Sequence, residues 1–211
     1  MSEKLEKLRQ KIEQHPEVME FKQQLANELY NRISDLSGSG KSEEVEELFE
    51  EMQQLAKDHP NEETIQKYYG QTIFTVFPMF SITGTITENK QLINEFREIT
   101  RKNESLMLKE LLAMMLVNAM YDLSLRDQVP SIHEFALELV DLARTHHKNT
   151  KIQLASAKGL MNAVNYFIKK QDEKAAQEYF RKLLRIVKAN PKEELIDTRK
   201  LAQLKDYFNM D

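Results

Sequence analysis

The sequence predicts an all-α protein built from helical repeats, and three observations support this fold class. Gly and Pro occur only 5 times each in 211 residues, which argues against a turn-rich β architecture. Strong helix formers (Glu, Lys, Leu, Gln, Ala and Met) dominate long stretches of the chain. Apolar residues recur at spacings of three and four, as they do along one face of an α-helix.

Composition excludes several classes of site. The chain has no cysteine, so disulfides, thiolate metal sites and cysteine nucleophiles are ruled out. Its first residues are charged and lack the apolar stretch of a signal peptide. The most apolar window, residues 106–123, is interrupted by Lys109, Glu110 and Asp122, so it falls short of a membrane span. We therefore expect a cytoplasmic protein with no membrane segment and no cofactor.

A turn that follows an apolar residue recurs five times. The apolar residues are Ile12, Leu55, Ile99, Leu142 and Ile186, so the steps are 43, 44, 43 and 44 residues. Spacing this regular predicts stacked helix–turn–helix units. We expect one repeat domain over residues 1–211, a right-handed α-α superhelix of about five antiparallel helix pairs. The predicted units are 1–36, 42–80, 89–126, 131–170 and 172–208. The predicted helices are 2–14, 17–36, 42–58, 61–80, 89–103, 105–126, 131–147, 150–170, 172–189 and 192–208.

Local signals suggest where helices begin and end. Pro16, Pro60 and Pro191 stand where we expect a second helix to begin, since proline has no N–H to lose there. Ser42 is the expected N-cap of the helix that follows the flexible residues 37–40. Residues 77–87 are rich in aromatic and β-branched side chains. We expect them to form a long loop whose Phe residues fill the core, or alternatively an exposed lip of a groove.

The segment from Asn162 to Phe180 resembles a tetratricopeptide repeat: a helix ending in aromatics, a polar turn, then Ala176 and the pair Tyr179-Phe180. The closing proline of that family is matched by Pro191, and a looser copy runs from residue 25 to residue 60. The period differs from the family's value of about 34 residues, and the leading Trp is absent. HEAT-like or armadillo-like arrays, with periods of about 40–47 residues, fit the spacing better.

The resemblance implies a concave surface, lined by the first helices of the units, that binds a peptide or a partner helix. At a step of 44 residues, one repeat position is shared by Tyr30, Phe74, Asn118, Asn162 and Asp206, and another is shared by Ile33, Phe77, Tyr121, Asn165 and Asn209. A column of equivalent positions that changes from aromatic to amide side chains suggests a groove with an apolar end and a hydrogen-bonding end. Lys158 precedes Asn162 by one turn, similar to a Lys–Asn pair with which some family members hold a carboxylate. The candidate peptide-binding residues are Asn118, Tyr121, Lys158, Asn162 and Asn165.

Two other clusters have structural interpretations. The Met-rich helix around residues 106–120 is apolar on most of its circumference, which favours a buried central helix over an adaptable Met-rich binding surface. His146 and His147 could bind a metal with His133 or Glu138. Adjacent residues diverge on a helix, however, and no His-x-x-x-His pair occurs, so we predict no metal site.

A basic face is the alternative site. Residues 1–147 hold 16 Lys/Arg against 26 Asp/Glu, whereas residues 148–211 hold 14 against 8. Basic residues interleaved with aromatics are typical of nucleic-acid binding, although Tyr166, Phe167, Tyr179 and Phe180 also fit core positions. The basic residues are Lys169, Lys170, Lys174, Arg181, Lys182, Arg185 and Lys188.

The sequence therefore favours a non-enzymatic protein–protein interaction module that acts as an adaptor or assembly factor. It has no phosphate-binding Gly-rich loop, no nucleophile elbow and no metal-binding helix motif, so we predict no catalytic residues. A nucleic-acid-associated protein is the alternative. Self-assembly through an exposed end is a third possibility, but Lys200, Gln203 and Asp206 on the last predicted helix suggest a solvated cap.

Overall fold

A computed structural model of the chain describes residues 3–191 and 195–210, with the backbone alone at positions 82 and 83. Over these residues the chain is all-α, and they contain no β-strand. The helices are α1 (Glu3–Gln14), α2 (Met19–Leu36), α3 (Ser42–Asp58), α4 (Glu63–Thr83), α5 (Ile86–Lys102), α6 (Leu106–Leu125), α7 (Val129–Thr145), α8 (Thr150–Lys169), α9 (Glu173–Ala189) and α10 (Thr198–Tyr207).

The predicted helices match these elements in number and order, and most ends agree within three residues. The last helix differs more, because α10 begins at Thr198 rather than at residue 192. Asp197 caps it by accepting a hydrogen bond from the Arg199 N–H over 2.8 Å. Residue 2 and residues 192–194, where two predicted helices were to begin, lie outside the described part of the chain.

The prolines stand in turns ahead of the helices, so the expectation that they open helices was wrong. The N–H of Val18 donates to the carbonyl of His15 over 3.1 Å, which closes a β-turn with Pro16 at its second position. The N–H of Glu62 likewise donates to the carbonyl of His59 over 3.2 Å, which closes a β-turn with Pro60 at its second position. Proline favours this position because its fixed φ suits the turn. Pro191 likewise lies in a turn.

The expected N-cap at Ser42 was also wrong, since Ser42 is the first residue of α3 and Lys41 precedes it without a side-chain cap. Side-chain caps occur instead at Asn149 and Asp172, which accept N–H groups of Ile152 and Ala175 over 2.9 and 3.0 Å. These oxygens satisfy N–H groups that the first helical turn leaves without a partner.

Residues 77–87 do not form the predicted loop or lip. Helix α4 continues through Pro78 to Thr83, and α5 begins at Ile86. The buried side chains of Val76 and Phe77 hold α4 in the core at the proline, and this packing outweighs the loss of one backbone hydrogen bond. The two helices are separated at Thr85, the N-cap of α5. Thr85 forms a capping box with Glu88 in the first turn of α5.

The chain divides into two compact units, Met1–Leu111 and Leu112–Asp211, and the boundary falls inside α6. In the first unit α2 packs against α1, α3 and α4, and α4 packs against α3 and α5. In the second unit α8 packs against α7 and α9, and α7 also contacts α9. Such packing between successive helices is compatible with a helical repeat. The right-handed superhelix and the single domain remain predictions.

A repeated hydrogen-bond pattern lies inside each unit. Gln66 of α4 donates through Nε2 to the carbonyls of Ala56 and His59, over 2.7 and 3.1 Å. Gln153 of α8 donates in the same way to Ala143 and His146, over 2.7 and 3.2 Å. The two glutamines stand two predicted repeat steps apart. Each satisfies carbonyls at the end of the preceding helix, which the helix leaves without partners.

Candidate functional site

The five predicted peptide-binding residues lie on two helices of the second unit. Asn118 and Tyr121 are on α6, and Lys158, Asn162 and Asn165 are on α8. Asn162 is half-buried and the other four are exposed. Spacings of three and four place the residues of each helix on one face of that helix. The structure thus collects these side chains on two short helical faces.

A glycine allows the two helices to approach each other closely. A Cβ atom added at Gly159 would lie 2.2 Å from Cδ1 of Leu139 on α7 and 3.3 Å from Cγ2 of Val117 on α6. Distances this short leave no room for a larger residue. Gly159 therefore fixes how closely α8 packs on α6 and α7, and it makes α6 and α8 direct neighbours within the second unit.

Helix α6 also exposes apolar side chains beside the predicted residues. Met114, Tyr121 and Leu125 are 42%, 63% and 71% exposed. With Asn118 they follow spacings of four, three and four, so they form one stripe along the helix. Most other residues of α6 in the second unit are buried, as expected for the Met-rich segment, and Val117, Asp122 and Ser124 are half-buried. The buried residues there are Leu112, Ala113, Met115, Leu116, Ala119, Met120 and Leu123.

We call the exposed faces of the two helices the α6–α8 surface. It comprises Met114, Asn118, Tyr121, Leu125, Lys158, Asn162 and Asn165. Within residues 3–191 and 195–210, none of the five predicted side chains makes a hydrogen bond or an ion pair. Amides and an ammonium group without internal partners remain able to bind an external one.

Met114 and Leu125 were missed as site residues, although a signal for them exists in the sequence. They stand four residues before Asn118 and four residues after Tyr121, and so continue the same helical face. The predicted column was wrong at Ile33 and Phe77, which are buried in the core of the first unit rather than exposed like Tyr121 and Asn165. A repeat position fixes the place in a helix, but the neighbouring helices decide the exposure.

The basic residues of the alternative site belong to α8, α9 and the turn between them. Lys174, Arg181, Arg185 and Lys188 follow α9 at spacings of seven, four and three, and all four are exposed on one face. Lys182 instead pairs with Glu178, and its ammonium lies 5.3 Å from the centre of the Tyr179 ring. Lys169 is exposed at the end of α8.

Lys170 is held by an internal contact. Its Nζ lies 2.6 Å from Oδ1 of Asp127, and the same oxygen accepts the Tyr166 hydroxyl over 2.5 Å. The hydrogen bond from Lys170, followed by that from Tyr166, lowers the pKa of Asp127 below its usual range. Burial, reinforced by Asp127, raises the pKa of Tyr166 to about 12.

The aromatics near the basic face pack inside the unit. Tyr166, Phe167, Tyr179 and Phe180 are all buried. The rings of Phe167 and Tyr179 stack with centres 5.6 Å apart, and His133 lies 4.7 Å from Phe167. Nδ1 of His133 is 2.5 Å from the hydroxyl of Tyr179. Rings held in this cluster cannot stack on bases, so a nucleic acid at this face would be bound through charge alone.

Residues 3–191 and 195–210 contain no group of three His, Asp or Glu side chains placed to hold a metal ion. None of the helices described is long and apolar enough to cross a membrane. Comparisons of the chain with models of protein families, with curated proteins and with solved structures find no match.

Proposed function

We propose that the chain is a non-enzymatic protein–protein interaction module that binds a peptide or helix on the α6–α8 surface and acts as an adaptor or assembly factor. The observation that carries the proposal is the exposed apolar stripe of Met114, Tyr121 and Leu125 beside polar side chains without internal partners. Exposed apolar side chains that form a continuous patch mark interaction sites more often than scattered ones do.

The chemistry of this surface selects one kind of partner. Tyr121 and Leu125 offer contact area to apolar side chains, and tyrosine is enriched among the residues that dominate binding energies. Lys158 is exposed on the adjacent helix, and Lys169 continues its face at the end of α8. Their charges favour carboxylates. The proposed partner is therefore a peptide or amphipathic helix with apolar side chains on one side and acidic residues next to them.

The amides serve a different role in the proposal. Asn162 and Asn165 each offer a donor and an acceptor, as a peptide backbone does. They stand between Lys158 and Lys169 on α8, so a bound segment that contacts both lysines passes over them. Their expected contribution is to the register of the bound segment, whereas the apolar stripe supplies most of the affinity.

The test is selection of linear peptides from a displayed random library on the purified full chain. Binders are expected to combine apolar and acidic residues, and their affinity should fall at least about tenfold with Tyr121→Ala or Lys158→Glu. Leu137→Ala is the matched control, because Leu137 is an exposed apolar residue on α7, a helix that contributes no residue to this surface. Binders that lose no affinity with Tyr121→Ala and Lys158→Glu would contradict the proposal.

The basic face of α9 supports a second candidate function, binding to the phosphates of a nucleic acid. Four cations on one face of a helix are an electrostatic footprint of this kind. Anisotropy of a labelled oligonucleotide should then show binding that weakens steeply with salt and is lost with Arg181→Glu plus Arg185→Glu. The charge-matched control is Lys148→Glu plus Lys102→Glu, which reverses the charge of two exposed lysines outside this face. Binding that is insensitive to salt would exclude this function.

A further inference from the structure

A cavity in the first unit is lined by a carboxylate, Glu95, that has no counter-ion among the described residues. The cavity has a volume of about 620 Å³ and lies among α3, α4 and α5. That volume is within the range of small-molecule sites, about 300–1,000 Å³. Ala56, Pro60 and the buried Tyr69 form part of its wall, and Glu95 of α5 lies beside Tyr69.

Three neutral donors fix the Glu95 carboxylate in place. Its Oε2 accepts the Tyr69 hydroxyl over 2.5 Å and the Gln53 amide over 3.1 Å. Its Oε1 accepts the amide of Gln91 over 3.1 Å. A carboxylate has about four acceptor sites, so Oε1 can take a further donor. Burial, and then the bond to Glu95, raises the pKa of Tyr69 well above its usual range, so the hydroxyl remains a donor.

Among the described residues, no cation forms an ion pair with this carboxylate. Lys57, Lys90 and the acidic Glu98 also line the cavity, but neither lysine pairs with Glu95. Glu95 is half-buried. A carboxylate that is partly removed from water and hydrogen-bonded only to neutral donors carries a desolvation cost, and this cost is offset when a cation binds beside it.

An adjoining cavity is lined by an amide oxygen that has no partner among the described residues. Gln66 is only 9% exposed and lines both this cavity and the adjoining one beside Asn103. Its Nε2 donates to two carbonyls, whereas its Oε1 accepts no hydrogen bond among the described residues. In the second unit the corresponding oxygen, Oε1 of Gln153, accepts the amide of Asn190 over 3.1 Å. In the first unit the equivalent asparagine, Asn103, donates to the Ile99 carbonyl instead, so the described residues do not repeat this bond.

We propose that this cavity binds an organic cation, an ammonium or guanidinium group on an aliphatic stem, with the charge at Glu95 and the stem against Ala56, Pro60 and the Tyr69 ring. Apolar walls that end at a fixed charge suit such a ligand, because the stem leaves water while the cation keeps polar partners. The ligand could be a free amine or the side chain of a lysine in a partner protein, and the two share this chemistry.

The experiment is titration of the full chain with cadaverine and with N-acetyl-lysine methylamide, followed by amide chemical-shift changes around Glu95. For ligands of this size we expect a Kd on the order of 1 mM. Pentanediol, a neutral molecule of similar length, should not bind. Binding of cadaverine alone indicates a free amine as ligand, whereas comparable binding of the capped lysine indicates a protein side chain.

Variants distinguish the loss of the binding site from the loss of the folded structure. Glu95→Gln keeps the shape of the side chain and should weaken cadaverine at least about tenfold, while Tyr69→Phe, which removes one fixing donor, should weaken it less. Glu47→Gln makes the same charge change on the exposed face of α3 and should have no effect. Unchanged circular dichroism would show that each variant folds. The proposal is overturned if neither amine binds, if pentanediol binds equally, or if Glu95→Gln leaves binding unchanged.

Discussion

Asn190 donates through its side-chain amide to Oε1 of Gln153 over 3.1 Å, and this bond joins the end of α9 to α8 in the second unit. The same amide donates to the carbonyl of Ile186 over 2.8 Å. Because Nε2 of Gln153 donates to Ala143 and His146, one glutamine links three helices. Only 2% of Gln153 is exposed, so no water can easily replace these bonds.

Replacing Gln153 should therefore cost much of the stability of this unit. Gln153→Ala removes three hydrogen bonds and a buried side chain. The Ala143 carbonyl loses its side-chain donor, whereas the His146 carbonyl keeps the Asn149 N–H and the Asn190 amide keeps the Ile186 carbonyl. We expect the free energy of unfolding to fall by about 2–4 kcal/mol. Urea denaturation followed by circular dichroism measures the change. Gln203→Ala, at an exposed position of α10, should shift it by less than about 0.5 kcal/mol. A similar loss in both variants would contradict the role assigned to Gln153.

The turn after α8 contains a residue in the left-handed region, where glycine is favoured. Gln171 has φ 57° and is exposed, and Asp127 has φ 58° at the corresponding turn after α6. Gln171→Gly should raise the free energy of unfolding by about 1 kcal/mol, because it removes the clash of Cβ with the backbone. The control is Gln177→Gly inside α9, which should lower it by about 1 kcal/mol. Thermal unfolding of the two variants should shift in opposite directions, and a shift in the same direction would refute this account.

The buried amide of Asn89 on α5 has no partner among the described side chains. Asn89 is 3% exposed, and in that part of the chain neither its Nδ2 nor its Oδ1 makes a hydrogen bond. Asn89→Leu has a similar shape and removes the desolvated polar atoms, so we expect a gain of about 1–3 kcal/mol in the free energy of unfolding. Asn31→Leu, on the exposed face of α2, should change stability little. A loss of stability in Asn89→Leu, seen as a lower urea midpoint, would mean that this amide is satisfied in solution.

The pairing of Lys170 with Asp127 should be visible in the titration of the carboxyl group. Lys170→Met is expected to move the pKa of Asp127 upward toward the usual value of 3.8, because the largest cause of its lowering is removed. Side-chain carbonyl chemical shifts recorded from about pH 6 down to about pH 2 measure it. Lys169→Met removes the neighbouring lysine, which makes no such pair, and should leave this pKa unchanged.

The same contact predicts the sign of a stability change at low pH. The carboxylate of Asp127 is favoured in the folded state, so its contribution is present above the unfolded pKa and is lost as pH falls through the lower folded value. In Asp127→Asn the loss of stability between about pH 4 and pH 2 should therefore be smaller than in the unsubstituted chain. Parallel pH profiles for the two proteins would contradict the pairing.

Several features of the site could be anticipated, and others could not. The spacing of Asn118, Tyr121, Lys158 and Asn162 placed them on helical faces, and the structure puts them on the neighbouring helices α6 and α8. The exposure of Met114 and Leu125 was not predicted: the polar Asn118 marks their face of the helix, but the apolar residues around the rest of α6 do not show which side its neighbours leave open. The function of this surface remains a proposal.

The cavity at Glu95 could not be predicted from the sequence, for a related reason. Its carboxylate is fixed by Gln53 from α3, Tyr69 from α4 and Gln91 from α5 itself. Gln53 and Tyr69 are far from Glu95 in the sequence, and no periodicity relates their side chains to it. Only the packing of three helices brings these donors to one charge.

By itself, the sequence determined the all-α class, the number and order of the helices and most of their ends, because helix propensity, apolar periodicity and turn residues act over short stretches of chain. Tertiary structure decided the conformation at those positions where packing outweighs the local sequence signal. It carried α4 through Pro78, because the burial of Val76 and Phe77 outweighs one missing hydrogen bond. It also decided which side chains are buried, since burial depends on neighbours that are distant in the chain.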